Sequence, residues 1–455
     1  MTRKMKDSGI EWIGEIPEDW DVVKLKHLVL DRQAGVWGKD ENQDNLTNNK
    51  ICIRIADFDY PRMTIRKDRE FTLRNYTDNE ISKCSLQKGD ILIEKSGGGE
   101  KTPVGRTIIW NEDFQAVYAN FIERLRVDKK QILPMFAQFC FFAFYGIGGS
   151  NLYFNQTTGI QNLNITGMMN DLRLPTPDLS TQIKIVDILD RKRNQIESIK
   201  SATIKEIETL ENYKKSVITE AVTKGLDKNV EMKDSGIEWI GEIPKHWDDG
   251  KTLFFLKMPI TDGPHTTPNL YDEGIPFVSA EAVASGNGKI DFNKIRGYIS
   301  EEFYLECCKK YIPKKDDIYM IKSGATTGLS AMVDTDKKFT IWSPLAVFRA
   351  DNLKIRPRLL FYILQSKYYL TQVELYWNYG TQQNIGMRTL EKLRMFVPPL
   401  KEQNQIADYL NKKTKLIDDS IAIKQKQLET LEEYKKSLIY EYVTGKKEVN
   451  DGEES

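Results

Sequence analysis

Two long stretches of the chain repeat apolar positions with the period of an α-helix. Residues 179–223 and 400–444 contain no proline or glycine and are rich in Lys, Glu, Gln, Leu and Ile, which form or tolerate helices. In the second stretch every gap between successive apolar positions is three, four or seven residues, and these positions are Leu410, Ile417, Ile421, Leu428, Leu431, Leu438 and Tyr442. This spacing predicts a coiled-coil seam.

The first stretch carries a similar series with one slip in its spacing, at Leu189, Ile196, Ile199, Ile204, Ile207, Leu210 and Val217. Each helix would be roughly 65 Å long at about 1.5 Å per residue. A helix of that length with one apolar stripe needs a partner, and the sister helix is the nearest candidate. We therefore predict an antiparallel pair that relates the two halves by a pseudo-twofold axis and acts as a spacer. An ordinary dimerisation coiled coil is the alternative.

The chain consists of two copies of one sequence repeat. Residues 5–20 and 232–247 agree at fourteen of sixteen positions, at a shift of 227 residues. The tripeptide Lys-Ser-Gly follows a short predicted strand in both repeats, and the tetrapeptide Tyr-Lys-Lys-Ser lies near the end of both predicted helices. At the helices the shift has fallen to 221 residues. The globular parts therefore differ in their loops, while the ends of the repeats are close copies.

Composition narrows the classes of function. The chain has 66 basic and 66 acidic residues, which argues against coating nucleic acid through bulk charge but leaves room for a local basic groove. Its five cysteines form no Cys-x-x-Cys pair, as expected in a reducing compartment, and its three scattered histidines argue against a zinc site. No apolar stretch follows the N-terminus, and the most apolar run, residues 133–147, is too short to span a bilayer. We expect a cytoplasmic protein with no membrane association.

Motifs of catalysis are missing from the sequence. An adenine methyltransferase should carry Asn/Asp-Pro-Pro-Tyr/Phe, but the one Pro-Pro pair is followed by Leu400, and no glycine-rich loop suits S-adenosylmethionine. Residues 97–102 fail as a phosphate loop because Glu100 stands where the motif requires glycine. Asp190 and Lys192, which mimic a nuclease signature, lie two apart on a helix and point to different faces. These absences disfavour an enzyme in its own right and a metal site.

Several short motifs, in duplicate and in the same order, carry a family resemblance. They are Ile-Pro-x-x-Trp at residues 16–20 and 243–247, Lys-Ser-Gly after a strand, Pro-Pro-Leu-x-Glu-Gln at the start of the second long helix, and Tyr-Lys-Lys-Ser near both helix ends. Over nearly its whole length the chain resembles the specificity subunits of type I restriction-modification systems. The first repeat departs from the pattern, with Asp178 and Thr181 where the second has Pro399 and Glu402.

The resemblance implies an α+β fold with two target recognition domains, residues 1–178 and 227–399. Two long antiparallel spacer helices, residues 179–226 and 400–445, would join them as an intramolecular coiled coil, followed by a polar tail at residues 446–455. Each domain would read one half of a split, asymmetric site in double-stranded DNA. The helices would set the gap and dock two methyltransferase subunits, and restriction subunits would complete the nuclease. This chain would be a non-catalytic subunit that binds no cofactor, and the partner subunits would bind S-adenosylmethionine, ATP and Mg²⁺. The assembled complex would be an adenine-specific DNA methyltransferase and an ATP-dependent endonuclease.

Polar residues near the glycine loops and the amide-rich turns are candidates for DNA contact. Paired donors and acceptors on Arg, Asn and Gln read base edges, while Lys, hydroxyls and backbone N–H groups bind phosphates. The candidates in the first repeat are Lys95, Ser96, Lys101, Thr102, Arg106, Thr158, Gln161 and Asn162. The candidates in the second repeat are His265, Thr266, Thr267, Lys322, Ser323, Thr326, Thr327, Gln382, Gln383 and Asn384.

The two repeats share some of these positions and differ at others. The shared Lys-Ser-Gly and Gln-Asn positions are expected to contact the DNA backbone or to shape the loops. The neighbouring residues that differ between the repeats are expected to read bases, because two different half-sites need different contacts. For any single residue a solvated loop is the alternative. For the whole chain the rival is a coiled-coil scaffold without sequence-specific DNA reading, and divergent polar loops on duplicated domains favour DNA reading over it.

Overall fold

The computed structural model describes residues 3–42, 46–157, 159–379 and 383–449. The chain divides into two compact units, unit 1 formed by Met1–Ile204 with Gln425–Ser455, and unit 2 formed by Lys205–Lys424. Each unit therefore contains the first part of one long helix and the last part of the other.

Unit 1 is a mixed α+β domain with a long helix at its edge. Its strands are β1 Met5–Asp7, β2 Glu15–Pro17, β3 Asp21–Lys24, β4 Val29–Ala34, β5 Asn49–Ile53, β6 Phe58–Asp59, β7 Thr64–Ile65, β8 Thr72–Asn75, β9 Asp90–Glu94, β10 Ser96–Gly97, β11 Thr107–Trp110, β12 Ala116–Tyr118, β13 Ile122–Val127, β14 Phe154–Thr157, β15 Ile160–Leu163 and β16 Arg173–Thr176. Its helices are α1 Leu25–Leu28, α2 Asp78–Cys84, α3 Pro134–Gly146, α4 Ile165–Asp171 and the start of α5 Leu179–Lys224. An antiparallel sheet in the order β11-β9-β13-β4 forms the centre, and β5 pairs in parallel with β12 and antiparallel with β8.

The apolar run at residues 133–147 becomes α3 and packs in the core of unit 1. Phe136, Phe139 and Cys140 on this helix are fully buried against the central sheet and the beginning of α5. Because α3 is buried on nearly all sides, it can be hydrophobic around its whole circumference. Across the described ranges, no helix is long and apolar enough to cross a membrane.

Unit 2 repeats this architecture with shorter strands. Its strands are β17 Met232–Asp234, β18 Glu242–Pro244, β19 Asp248–Lys251, β20 Thr261–Asp262, β21 Ile275–Val278, β22 Tyr298–Ile299, β23 Ile318–Ile321, β24 Ser330–Met332, β25 Thr340–Ile341, β26 Leu345–Phe348, β27 Asn378–Tyr379, β28 Gln383–Asn384 and β29 Arg394–Val397. Its helices are α6 Ala280–Ala284, α7 Glu301–Cys308, α8 Pro357–Gln365, α9 Lys367–Leu375, α10 Met387–Lys392 and the start of α11 Leu400–Val443. The central sheet runs β20-β26-β23-β24, and β21 pairs in parallel with β25 and antiparallel with β22. The predicted α+β fold with two globular domains and two long helices is confirmed.

A fully buried glutamine fastens the start of each long helix to its globular domain. Gln182 donates to the carbonyl oxygens of Pro177 at 2.8 Å and Gln131 at 3.0 Å, and its Oε1 accepts from the backbone N–H of Leu133 at 2.8 Å. Gln403 makes the same three bonds in unit 2, at 2.8, 2.8 and 2.7 Å. The glutamine shared by the two helix-start motifs is therefore a structural anchor, since a buried amide needs partners for its donors and acceptor.

The two helices begin differently next to this anchor. Asp178 caps α5, because its carboxylate accepts from the backbone N–H of Thr181 and from the Thr181 hydroxyl, both at 2.9 Å. These bonds lower the pKa of Asp178 to about 2. At the start of α11, Glu402 instead accepts from the indole Nε1 of Trp247 at 3.2 Å and lies 2.8 Å from His246 Nε2. The departure of the first repeat from the motif thus exchanges one local set of hydrogen bonds for another.

In each unit the two long helices run antiparallel. In unit 1 Lys200 pairs with Glu432 at 2.5 Å and Glu197 pairs with Lys435 at 3.0 Å, so an earlier residue on α5 meets a later one on α11. In unit 2 the later Lys214 pairs with the earlier Asp418 at 2.7 Å, and the earlier Glu206 pairs with the later Lys424, so the direction is the same.

The predicted seam on α5 is only partly correct. Ile196 is buried, but the side chains of Ile199 and Ile204 are 45% and 47% exposed. Thr203 is buried beside Ile204, and Lys435 is buried where it pairs with Glu197, two residues before Ile199. The helices meet there through ion pairs. The slip in the apolar spacing therefore marks a polar section of the helix pair.

Candidate nucleic-acid interface

The Lys-Ser-Gly segment of each unit lies in the same backbone setting. In unit 1 the N–H of Lys95 donates to the carbonyl oxygen of Phe121 at 2.8 Å, and the carbonyl oxygen of Lys95 accepts from the N–H of Leu163 at 2.8 Å. In unit 2 Lys322 makes both bonds, to Pro344 and from Ile385, at 2.8 and 2.9 Å. Each segment is therefore held between the central sheet and the amide-rich turn, so the two groups of candidates from each repeat come together.

Two of the unit 1 candidates shape this junction. Ser96 is buried, and its hydroxyl donates to Oδ1 of Asn162 at 2.7 Å. Gln161 is buried, and its Oε1 accepts from the backbone N–H of Val104 at 3.1 Å. These side chains join strands β10 and β15, which pair Ser96 with Asn162 and Gly97 with Gln161. They fix the loop through bonds inside the protein.

Buried carboxylates orient the basic side chains of unit 1. Arg106 makes a two-pronged pair with Glu94, at 2.9 and 3.2 Å, and its guanidinium stacks 3.8 Å from the ring centre of Tyr60. Burial, with the nearby Glu94 charge, raises the pKa of the Tyr60 hydroxyl, which stays neutral. The ammonium of Lys95 lies 3.9 Å from the buried carboxylate of Glu123. Arg106 and Lys95 are held at the surface with side chains 22% and 29% exposed.

Three further unit 1 positions are exposed around this loop. Lys101 and Thr102 lie at the tip of a tight hairpin, where Gly99 and Thr102 exchange two backbone hydrogen bonds of 3.1 Å. Asn162 is also exposed, although its Oδ1 accepts the Ser96 hydroxyl. The side chains of Lys101 and Thr102 and the amide N–H groups of Asn162 are therefore available to a ligand. The candidate Thr158 lies outside the described residues.

In unit 2 a single buried carboxylate organises the basic candidates. Asp262 is 1% exposed, and the ammonium groups of Lys310 and Lys322 approach it, the latter at 3.4 Å. The imidazole Nε2 of His265 lies 3.3 Å from the same carboxylate, while 73% of the His265 side chain is exposed. Because two lysines share one carboxylate, this cluster keeps a net positive charge.

The remaining unit 2 candidates divide into exposed and loop-shaping positions. Thr266, Thr267, Thr326 and Asn384 are exposed, whereas Ser323 and Gln383 are half-buried. The hydroxyl of Thr327 donates to the carbonyl oxygen of Gly324 at 2.7 Å and closes its own turn. The candidate Gln382 lies outside the described residues.

Sequence reasoning missed several residues of these clusters. Arg32 pairs with Glu123 at 2.7 Å and gives the unit 1 cluster a third cation, against the two carboxylates Glu94 and Glu123. Phe121, 48% exposed beside Lys95, adds an apolar surface at the same junction. Lys310 plays the corresponding basic role in unit 2. These residues are far from the glycine loops in sequence, so spacing gave no signal for them.

Two glycines mark the strand ends at which these clusters form. A Cβ on Gly263 would lie 2.0 Å from the carbonyl oxygen of Ile341, and one on Gly35 would lie 2.2 Å from that of Ala119. Both glycines directly follow a strand of the central sheet, β20 and β4. In both units the backbone after this strand therefore passes so close to another backbone carbonyl that only glycine, which has no Cβ, fits there.

Within the described ranges, no three His, Cys, Asp or Glu side chains converge in a way that could hold a metal ion. The positive clusters and exposed hydroxyl and amide groups fit an anionic, hydrogen-bonding ligand.

A protein-family model, described as the type I restriction modification DNA specificity domain, matches residues 17–209 and 262–433. The chain belongs to this family of specificity subunits. The subunit is 27% identical over 439 residues to a protein of Methanocaldococcus jannaschii named as the MjaX type I restriction enzyme specificity subunit, and the match covers 95% of both chains. It is 24% identical over 405 residues to the StySPI specificity subunit of Salmonella potsdam, covering 86% of this chain and 81% of that one.

A solved structure shares the fold of this specificity subunit. It comes from a study of complex assembly and conformational transition in the type I R-M system, with a TM-score of 0.66 and 15% identity, and the match covers 94% of this chain and 98% of that one. Family membership establishes a type I restriction-modification specificity subunit, a non-catalytic component that acts on DNA together with partner subunits. No comparison favours the alternative of a scaffold without DNA function.

Proposed function

We propose that each unit uses its loop cluster to read one half of a split, asymmetric DNA site, and that the two long helices set the gap between the halves. The observation that carries this proposal is the shared placement of Lys95 and Lys322 beside unlike neighbours. Both lysines have the same backbone bonds and a buried carboxylate, whereas the exposed side chains around them differ between the units. A common phosphate contact beside different base contacts suits two different half-sites.

The net positive charge of each cluster supports phosphate binding. In unit 1 three cations, Lys95, Arg106 and Arg32, face two buried carboxylates, and in unit 2 two lysines face one. A chain with no net charge can therefore present local positive patches to DNA. The exposed groups at positions that differ between the repeats are the proposed base readers: Lys101 and Thr102 in unit 1, and His265, Thr266, Thr267 and Thr326 in unit 2. The shared Asn162 and Asn384 are proposed to contact the DNA backbone or to shape the loops.

The long helices also carry surface suited to partner subunits. Ile183 and Ile199 on α5 and Leu416 and Ile423 on α11 are 45% to 70% exposed. We infer that two methyltransferase subunits dock on the helices and that restriction subunits complete the complex. S-adenosylmethionine, ATP and Mg²⁺ would be bound by those partners, which would methylate adenine and cut DNA in the cytoplasm.

Methylome sequencing of cells with and without the gene tests this function. Loss of methylation at one split motif is expected on deletion, and an unchanged methylome with the partner methyltransferase gene intact would contradict the proposal. The double variant Lys101→Ala/Thr102→Ala should relax recognition of one half-site and leave the other half unchanged. Lys130→Ala, an exposed lysine elsewhere in unit 1, is the control and should leave both halves as they are.

A further inference from the structure

The first lysine of the Tyr-Lys-Lys-Ser motif connects three parts of each unit. In unit 1 this residue is Lys435, whose side chain is 1% exposed although it carries a charge. Its ammonium lies 3.0 Å from Glu197 on the other long helix and 3.0 Å from Glu432 on its own helix. It also lies 3.5 Å from the carbonyl oxygen of Pro61, in the turn between β6 and β7 of the globular domain. One side chain thus links both helices and the domain.

Lys214 makes the corresponding connection in unit 2. Its ammonium donates to both carboxylate oxygens of Asp418 on the other long helix, at 2.7 and 2.9 Å, and lies 3.5 Å from Oδ1 of Asn287. Asn287 belongs to the turn after α6 and has a φ of 45°, a left-handed conformation that fixes the shape of that turn. The two lysines sit on different long helices, yet each reaches the opposite helix and a turn of the globular domain.

A cleft lies beside each of these connections. In unit 1 a cleft of about 430 Å³ is lined by Arg62, Asp190 and Glu197, among other residues, and in unit 2 one of about 330 Å³ is lined by Lys214 and Asn287, among others. The domain and the helix are therefore not packed continuously at this point. A polar link across an open cleft can hold an orientation that apolar packing does not fix there.

The second lysine of the motif differs. Lys436 is 42% exposed and pairs with Glu433 on its own helix at 2.9 Å, and Lys215 is exposed. An exposed pair of this kind contributes little, whereas breaking a buried, hydrogen-bonded pair leaves an uncompensated charge. The two lysines of each motif therefore form a matched pair: the first contacts the opposite helix and the globular domain, and the second does not.

We propose that Lys214 and Lys435 are positioning residues that hold each globular domain at one orientation on the helix pair, and so restrict the gap length that the subunit accepts between half-sites. This inference rests on the proposed function, in which each unit reads one half-site. A contact between each lysine and DNA is not part of it. The half-sites themselves should be read as before when the link is lost.

The test uses the full chain assembled with its methyltransferase subunits and a library of split sites whose gap is the native length or one or two base pairs shorter or longer. Lys435→Met should raise the ratio of off-gap to native-gap methylation by about tenfold, as expected for loss of one buried charged link, and Lys214→Met by less, because the side chains of Lys214 and Asp418 are 20% and 30% exposed. Lys215→Met and Lys436→Met should match the wild type. Asn287→Gly should raise the same ratio by less, because it keeps the pair with Asp418 and the left-handed turn but removes the link to the domain.

The outcomes separate the two proposals. If the wild-type complex methylates no split site in the library, the proposed function fails. If the wild type methylates one gap and the Lys214, Lys435 and Asn287 variants keep the same gap preference, the positioning role is overturned. The positioning role is also overturned if a variant loses methylation at every gap and no longer recognises its half-sites. Asn287→Gly keeps the test decisive if a methionine variant does not fold.

Discussion

Replacing Gln403 with leucine removes the anchor at the start of α11. The side chain is fully buried and makes three hydrogen bonds of 2.7 to 2.8 Å, so leucine leaves the N–H of Arg356 and the carbonyl oxygens of Lys354 and Pro398 without these partners. An unpaired buried N–H costs about 1–3 kcal/mol, and each carbonyl less because it has a second lone pair. Burial of the leucine side chain offsets part of this. The expected loss of stability is about 3 kcal/mol.

Thermal unfolding and hydrogen exchange measure this loss. For a unit of this size, about 3 kcal/mol lowers Tm by roughly 6–12 °C. Gln182→Leu should behave alike in unit 1, because its three bonds are of the same kind and length, 2.8 to 3.0 Å. In each variant the amide that lost its bond, Arg356 or Leu133, should exchange faster.

The control is Gln405→Leu, an exposed glutamine two residues further along α11. It should change Tm by less than about 2 °C, as surface substitutions do. A fall of the same small size in the Gln403 variant would show that the buried amide is not an anchor. A large effect in one unit and none in the other would contradict the equivalence of the two helix starts.

Three further substitutions test local features. Asp178→Ala should lower the free energy of unfolding by about 1 kcal/mol at neutral pH, because the helix cap is lost. Urea unfolding should show this difference from wild type shrinking as pH falls from about 4 towards 2. The pKa of Asp178 is lowered in the folded state, so its stabilising contribution is present above its ordinary pKa and is lost as pH falls through the folded value. Glu402→Ala should lower the free energy of unfolding by about 1–2 kcal/mol, because the buried indole N–H of Trp247 loses its partner. Gly263→Ala should abolish methylation of the split site, because the added Cβ would lie 2.0 Å from a backbone carbonyl oxygen beneath the unit 2 cluster.

Each of these has a matched comparison. Lys401→Ala, exposed beside Glu402, should leave stability unchanged, and an equal loss would refute the indole bond as the cause. Gly99→Ala meets open space and should retain methylation, so equal failure of both glycine variants would argue against the backbone clash. A pH-independent difference between wild type and Asp178→Ala would exclude the carboxylate as the cap.

The sequence predicted the long helices well, because the signals for a helix lie within a single segment of the chain. Absence of proline and glycine, with apolar residues three or four apart, predicted helices that the structure places at Leu179–Lys224 and Leu400–Val443. The seam was wrong at Ile199 and Ile204, which are exposed, since apolar spacing cannot show that the neighbouring Thr203 is buried or that Lys435, from a distant segment, is buried against Glu197. The candidate clusters were predicted at the level of loops, because glycine-rich turns and amide-rich turns can be identified from residue types alone.

The sequence by itself determined the duplication, the extent of the long helices and the family, because repeats and periodicity are properties of neighbouring positions. The tertiary structure decided which side chains of the candidate interface are free and which are occupied. Gln161 meets the N–H of Val104, and Lys322 meets Asp262, across 57 and 60 positions of chain. Such partners come together only on folding, when buried carboxylates and amides must find donors and acceptors outside their own segment.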